Sequence, residues 1–144
     1  MSIWDKIFRF DYAKDLHIHL KGWAVDCNSG YTRQSTYQAV FFIMLVITLL
    51  GTINYYYGLF NRPKFSRIFV WFLNIMVMSI IVFITAYVMS SSGMHEGNHC
   101  QDLHFHSTDC MLFAFTAVVY TILFYIILSV FIKWWSLNNK KVPF

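Results

Sequence analysis

IFVWFLNIMVMSIIVFITAYVM, residues 68–89, runs for 22 positions without an Asp, Glu, Lys, Arg or His. A helix rises 1.5 Å per residue, so this run is long enough to cross the roughly 30 Å hydrocarbon core of a bilayer. Two further stretches have the same length and character, AVFFIMLVITLLGTINYYYGLF at 39–60 and MLFAFTAVVYTILFYIILSVFI at 111–132. They sit in a chain of 144 residues that is 58% hydrophobic and only 12% charged, with a mean hydropathy of +0.50. Soluble domains carry about a quarter charged residues. A chain this short leaves much of its area exposed and could not hide so much apolar surface from water. The expected fold class is an all-α integral membrane protein, one membrane domain over residues 1–144 with three transmembrane helices and the lipid bilayer as its first partner.

Aromatic residues cluster where a bilayer would place them. Tyr55, Tyr56 and Tyr57 close the first run, Trp71 lies near the start of the second, and Trp134 and Trp135 follow the third. Indole and phenol rings favour the headgroup level because one end is apolar and the other wants water. Trp134 and Trp135 are therefore expected to anchor the chain at the interface.

Upstream of the spans, residues 1–35 divide into a helix and a linker. MSIWDKIFRFDYAKDLHIHL places Ile3, Trp4, Ile7, Phe8, Tyr12 and Leu16 at helical spacing, with Ser2 and Asp5 as a weak form of capping box. The expectation is an N-terminal amphipathic helix lying in the interface, with Trp4 and Phe8 dipped into the acyl boundary. The alternative is that its apolar face packs on a partner or a neighbouring subunit. Residues 1–35 contain no continuous apolar run of the signal-peptide kind, so this segment is expected to persist in the mature protein. Turn signals follow at Asn28-Ser29-Gly30, at residues 61–63 between the first two spans, and at residues 90–93 (SSSG), where the second span is expected to end.

Charge divides unevenly between the two faces that three spans define. The 61–67 connection and the C-terminal tail hold Arg62, Lys64, Arg67, Lys133, Lys140 and Lys141 and no acid. The other face holds all seven acids, and near the spans it offers only Lys21 and Arg33 as bases. Lys and Arg near span ends favour the cytoplasm. The expected location is an inner or plasma membrane, with the N-terminus outside and the C-terminus cytoplasmic. Whatever the orientation, all six histidines and all three cysteines fall on the face of residues 1–35 and 90–110.

Within the spans the polar groups are mild. Asn54 and Asn74 are expected to hydrogen-bond between helices. No ionisable Asp, Glu, Lys, Arg or His lies within the spans, which argues against a pump, a proton relay or histidine-ligated haem. Gly51 is the only glycine well inside a span, so no GxxxG dimer motif exists, and three helices alone cannot enclose a wide pore.

HEGNHCQDLHFHSTDC, residues 95–110, admits three readings. A disulfide between Cys100 and Cys110 would close a short loop and stabilise it by roughly 2.5–3 kcal/mol in the chain-entropy model, although Cys27 on the same face competes for either partner. A metal site would use His95, His99, His104 and His106, whose imidazoles suit zinc or copper, but their spacing matches no established motif. The third reading leaves these histidines solvated beside Glu96, Asp102 and Asp109, giving the loop at most some pH sensitivity.

No nucleophile elbow, phosphate-cradling glycine loop, HExxH motif or pair of carboxylates within a span is present. The chain is expected not to be an enzyme and not to bind nucleic acid. Its expected role is a small non-enzymatic polytopic membrane subunit in a homo-oligomer or larger envelope complex. A second reading is a membrane-permeabilising, holin-like or defence-effector protein. The layout is similar to that of three-span holins (N-out, C-in, basic tail), a resemblance of layout alone without a shared motif. A third is a metal- or redox-linked membrane protein using the 95–110 loop, with zinc or copper as the only cofactor that loop suggests.

Overall fold

The computed structural model describes residues 14–57, 68–95 and 100–133, and the side chains of all of these except 93–95 and 133. Four helices occur among them: α1 (Lys14–Leu20), α2 (Thr36–Tyr57), α3 (Ile68–His95) and α4 (Ser107–Lys133). Three segments, Thr36–Tyr57, Ile68–Ser92 and Ser107–Ile132, are long and apolar enough to cross a membrane. The all-helical membrane fold is therefore as expected. Among the described residues the one extended pairing is an isolated antiparallel bridge between Trp23 and Tyr31. The anchors Trp4, Phe8, Trp134 and Trp135 and the turn at 61–63 lie outside the described residues.

Two helix ends differ from the sequence reading, and both for local reasons. The serines at 90–92 do not stop α3, which continues to His95. Their hydroxyls donate to the carbonyls three residues back, of Tyr87, Val88 and Met89, at 3.0, 3.4 and 3.2 Å. Serine bonded to its own helix in this way competes little with helical geometry. At the other end of the connection, α4 begins at Ser107 instead of after Cys110. The Asp109 carboxylate accepts the His106 backbone N–H at 2.9 Å, and the Asp109 N–H donates to the His106 carbonyl at 3.0 Å. These two bonds satisfy groups that a helix N-terminus otherwise leaves unpaired.

The side-chain distribution is the reverse of that in a soluble protein. On α4 the buried row Phe113, Ala117, Thr121, Tyr125 and Ser129 recurs every fourth residue, and the exposed row is Phe115, Val119, Leu123, Ile127 and Phe131. On α3 the buried positions include Trp71, Asn74, Val82, Ala86 and Ser90, whereas Phe69, Phe72, Met76, Ile80, Ile84 and Val88 are exposed. Hydroxyls, an amide, small residues and several aromatic rings thus face inward, and most of the large aliphatic side chains face outward. Contiguous apolar surface of this extent is rare on a protein surrounded by water. In hydrocarbon it costs nothing, while small and polar residues favour helix contacts. The protein is a membrane protein.

The chain forms two compact units, Met1–Phe42 with Phe83–Ala117 and Ile43–Val82 with Val118–Phe144. The second is built around aromatic rings from all three long helices. Tyr55, Tyr56, Trp71, Ile75 and Tyr125 form its buried cluster, with Ile122 and Ile126 packed against it. The Asn74 side-chain amide donates one hydrogen to the Gly51 carbonyl at 3.2 Å and the other to the Tyr125 hydroxyl at 2.6 Å, joining α3 to α2 and α4. Trp71 Nε1 donates to Ser129 Oγ at 3.3 Å. Asn54 is half-buried on α2. Where α2 meets α3, a Cβ on Gly51 would stand 2.7 Å from Met78 Sδ, so glycine permits the close approach. Thr48 and Thr52 turn their hydroxyls back to the Met44 and Thr48 carbonyls of their own helix.

Candidate functional site

In the first unit, α1, the 21–35 segment and residues 100–106 form a cap on the ends of the long helices. α1 stops because of Gly22. Its N–H donates to the His19 carbonyl at 3.0 Å, and the Trp23 N–H donates to the Ile18 carbonyl at 3.4 Å. With φ +96° at Gly22, this is the glycine-terminated helix end in which left-handed backbone satisfies the last carbonyls. Gly22 has a second task. Its carbonyl accepts the Arg33 N–H at 3.0 Å, and a Cβ here would lie 2.2 Å from the Arg33 carbonyl oxygen. Only glycine supplies both the backbone angle and the space.

Beyond Gly22 the chain makes a small ribbon. Trp23 pairs with Tyr31, the Ala24 N–H donates to the Gly30 carbonyl at 2.8 Å, and the two rings meet edge-to-face at 4.9 Å. Lys21 Nζ sits 5.4 Å from the centre of the Tyr31 ring. At the tip, the Asp26 carboxylate accepts the Ser29 hydroxyl and the Ser29 N–H. These bonds, the hydroxyl first, hold the Asp26 carboxyl below its ordinary value. Cys27 follows with φ 62°, the left-handed region that non-glycine residues visit mainly in turns.

From that tip Cys27 is bonded to Cys100, with their Cα atoms 5.2 Å apart across a sequence separation of 73. The expected Cys100–Cys110 pairing is thus corrected. Cys110 is a free, fully buried thiol in the first turn of α4. Asp109 draws residues 107–110 into that helix and commits the Cys110 side chain to the interior, while the ribbon carries Cys27 to Cys100. A loop of this length would gain about 4 kcal/mol in the chain-entropy model, an upper figure because inserted spans already restrict the chain.

Further contacts fasten the cap. The His104 N–H donates to the Asp15 carboxylate at 3.2 Å. His19, 8% exposed, stacks on Phe105 at 4.9 Å. His17 Nδ1 is 2.7 Å from the Tyr37 hydroxyl at the head of α2, and Tyr37 meets Phe113 of α4 edge-to-face at 5.6 Å. Leu16 and Leu20 are fully buried. α1 thus packs Leu16 and Leu20 on its own chain, and residues 1–13, which carry most of the expected interfacial face, lie outside the described residues. Spacing alone does not single out His17 and His19 as site residues. Their alternation places one on Tyr37 and the other on Phe105, and neither partner is near in sequence.

The imidazole set proposed for a metal is not assembled among the described residues. His104 and His106 are exposed, and His99 and the His95 side chain lie outside the described residues. The group of ligand-type side chains that does converge is Cys27, Cys100 and Asp102, with ligand atoms all within 4.8 Å of one another. As a disulfide the two sulfurs are not thiolate donors. The cap also contains a small polar cavity of about 40 Å³ lined by His19, Gly22, Arg33, Gln34, Thr36, Met89 and Ser92. An open depression of about 490 Å³ runs along Ala24, Val25, Asp26, Ser29, Thr32 and Arg33. Neither brings a nucleophile, a base and an oxyanion donor to one point.

Comparison with known protein families, with characterised proteins and with solved structures finds no match to this chain.

Proposed function

We propose that the protein is a non-enzymatic membrane subunit that works in an assembly with copies of itself or with other envelope membrane proteins. In this reading the spans anchor, and the clasped cap is the face presented to partners outside the cytoplasm. The observation that carries it is the use made of polar groups in the spans. Asn74 gives both amide hydrogens to Gly51 and Tyr125, Trp71 bonds Ser129, and Thr48 and Thr52 bond their own helix. The interhelical bonds serve packing, and among the described residues of the spans the one charged side chain is Asp109, in the first turn of α4, which leaves none along the middle for a conduction path. The outward orientation is supported by the Cys27–Cys100 bond, since disulfides persist in oxidising compartments. The six bases on the opposite face agree with it.

Extraction in a mild detergent followed by native mass measurement tests this reading. Assemblies of several times the 17.1 kDa chain mass, or stable complexes with other membrane proteins, are expected. A lone monomer after crosslinking in intact membranes as well as in detergent would contradict it.

A further inference from the structure

The geometry points to a metal site latent in the clasp: on reduction, Cys27, Cys100 and Asp102 bind one thiophilic divalent cation of the zinc class. Their ligand atoms lie within 4.8 Å of one another. Tetrahedral zinc, with bonds of about 2.3 Å to sulfur and about 2.1 Å to oxygen, holds such atoms roughly 3.6–3.8 Å apart. With the Cα atoms 5.2 Å apart, side-chain rotation alone can open the two sulfurs to that spacing.

The ligands stay together after the bond between them is cut, because each is held by other contacts. Cys27 sits on the ribbon fixed by the Ala24–Gly30 and Gly22–Arg33 hydrogen bonds. Cys100 and Asp102 share one turn, closed by the Leu103 N–H on the Cys100 carbonyl at 3.1 Å. That turn is tied to α1 through His104 on Asp15 and Phe105 on His19. Cys100 is buried, Cys27 is half-buried and Asp102 is exposed, so the site has a closed back and an open front where water completes the coordination. Two thiolates select zinc over magnesium or calcium, which prefer all-oxygen ligands.

The chemistry balances. A dithiol reductant supplies two electrons and two protons, the Cys27–Cys100 bond breaks to two thiols, and the dithiol closes to its own cyclic disulfide. Zinc then displaces both thiol protons and forms two Zn–S bonds and one Zn–O bond to Asp102. This site shares no ligand with the imidazole set of residues 95–106, and it does not rest on the subunit role proposed above.

The test uses the full chain in detergent, divided into an oxidised portion and one reduced by a trialkylphosphine under argon and then desalted. Each portion is titrated with Zn²⁺ and, separately, with Co²⁺. The reduced protein should take up one equivalent and develop thiolate-to-cobalt charge-transfer absorption, and the oxidised protein should show neither. Asp102→Asn leaves the disulfide in place and, after reduction, should weaken zinc binding at least about tenfold. Equal uptake by both portions, no charge-transfer band after reduction, or unchanged affinity in Asp102→Asn would each overturn the proposal.

Discussion

The side-chain amide of Asn74 on α3 donates to the Tyr125 hydroxyl on α4 at 2.6 Å, while its second hydrogen reaches the Gly51 carbonyl of α2 at 3.2 Å. One residue thus ties three helices within the spans. Interhelical hydrogen bonds in membranes contribute about 0.6 kcal/mol each on average. Asn74→Ala should therefore destabilise the protein by about 1–2 kcal/mol, since it also leaves the Tyr125 hydroxyl without this donor. Tyr125→Phe should cost less. A double-mutant cycle in mixed-micelle unfolding should show coupling of about 0.6 kcal/mol, and additive effects would remove Asn74 from this role.

Gly22 and Gly30 both have positive φ, but their surroundings differ. A Cβ on Gly30 meets nothing within 4 Å, whereas one on Gly22 lies 2.2 Å from the Arg33 carbonyl oxygen. Gly30→Ala should cost about 1 kcal/mol of backbone strain. Gly22→Ala adds a backbone collision to that strain and should exceed about 2 kcal/mol. Thermal unfolding of the oxidised protein compares them, and equal losses would contradict the Gly22–Arg33 clasp.

The tip of the ribbon carries a pH signature. Asp26 titrates below its ordinary value because the Ser29 hydroxyl and N–H favour the carboxylate. Its folded pKa is depressed, so the contribution to loop order is present above the unfolded carboxylate value and lost as pH falls through the folded one. NMR titration of Asp26 should place its midpoint below that of a free aspartate, and Ser29→Ala should move it upward. No upward movement in Ser29→Ala would exclude the hydroxyl as the cause.

Ile80 is a large exposed side chain near the middle of α3. In hydrocarbon, Ile80→Lys should raise the free energy of insertion by about 2.5–3.5 kcal/mol. On a water-facing helix the same change would be neutral. An insertion assay that scores glycosylated reporter fusions reads the difference, and wild-type insertion of the variant would argue that this face is not turned to lipid.

The spans are legible in the sequence because a bilayer demands something local, some twenty consecutive residues without charge. Their ends are less so. Ser90, Ser91 and Ser92 look like a stop until their hydroxyls are seen on the carbonyls of the preceding turn, and Asp109 looks like a loop acid until it caps α4. The cysteine pairing was hidden for a different reason. Sequence proximity favoured Cys110, but the partner is chosen by where folded segments deliver their side chains. Nothing in the spacing reveals that a ribbon hinged at Gly22 brings Cys27 to Cys100. The aromatic partners of His17 and His19 were hidden in the same way. Asn74 stands out in an apolar run as a residue needing partners, but only helix packing identifies them as Gly51 and Tyr125.

Labelling in sealed vesicles tests the three-span arrangement most directly. The native cysteines suit this background, because two are bonded to each other and the third is buried. Single substitutions Thr32→Cys, Gln101→Cys, Ser66→Cys and Ser136→Cys are exposed in turn to a membrane-impermeant maleimide. Thr32→Cys and Gln101→Cys should react from one side of the membrane, and Ser66→Cys and Ser136→Cys only from the other. Labelling of positions 32 and 101 from opposite sides would contradict the arrangement, and with it a cap assembled on a single face.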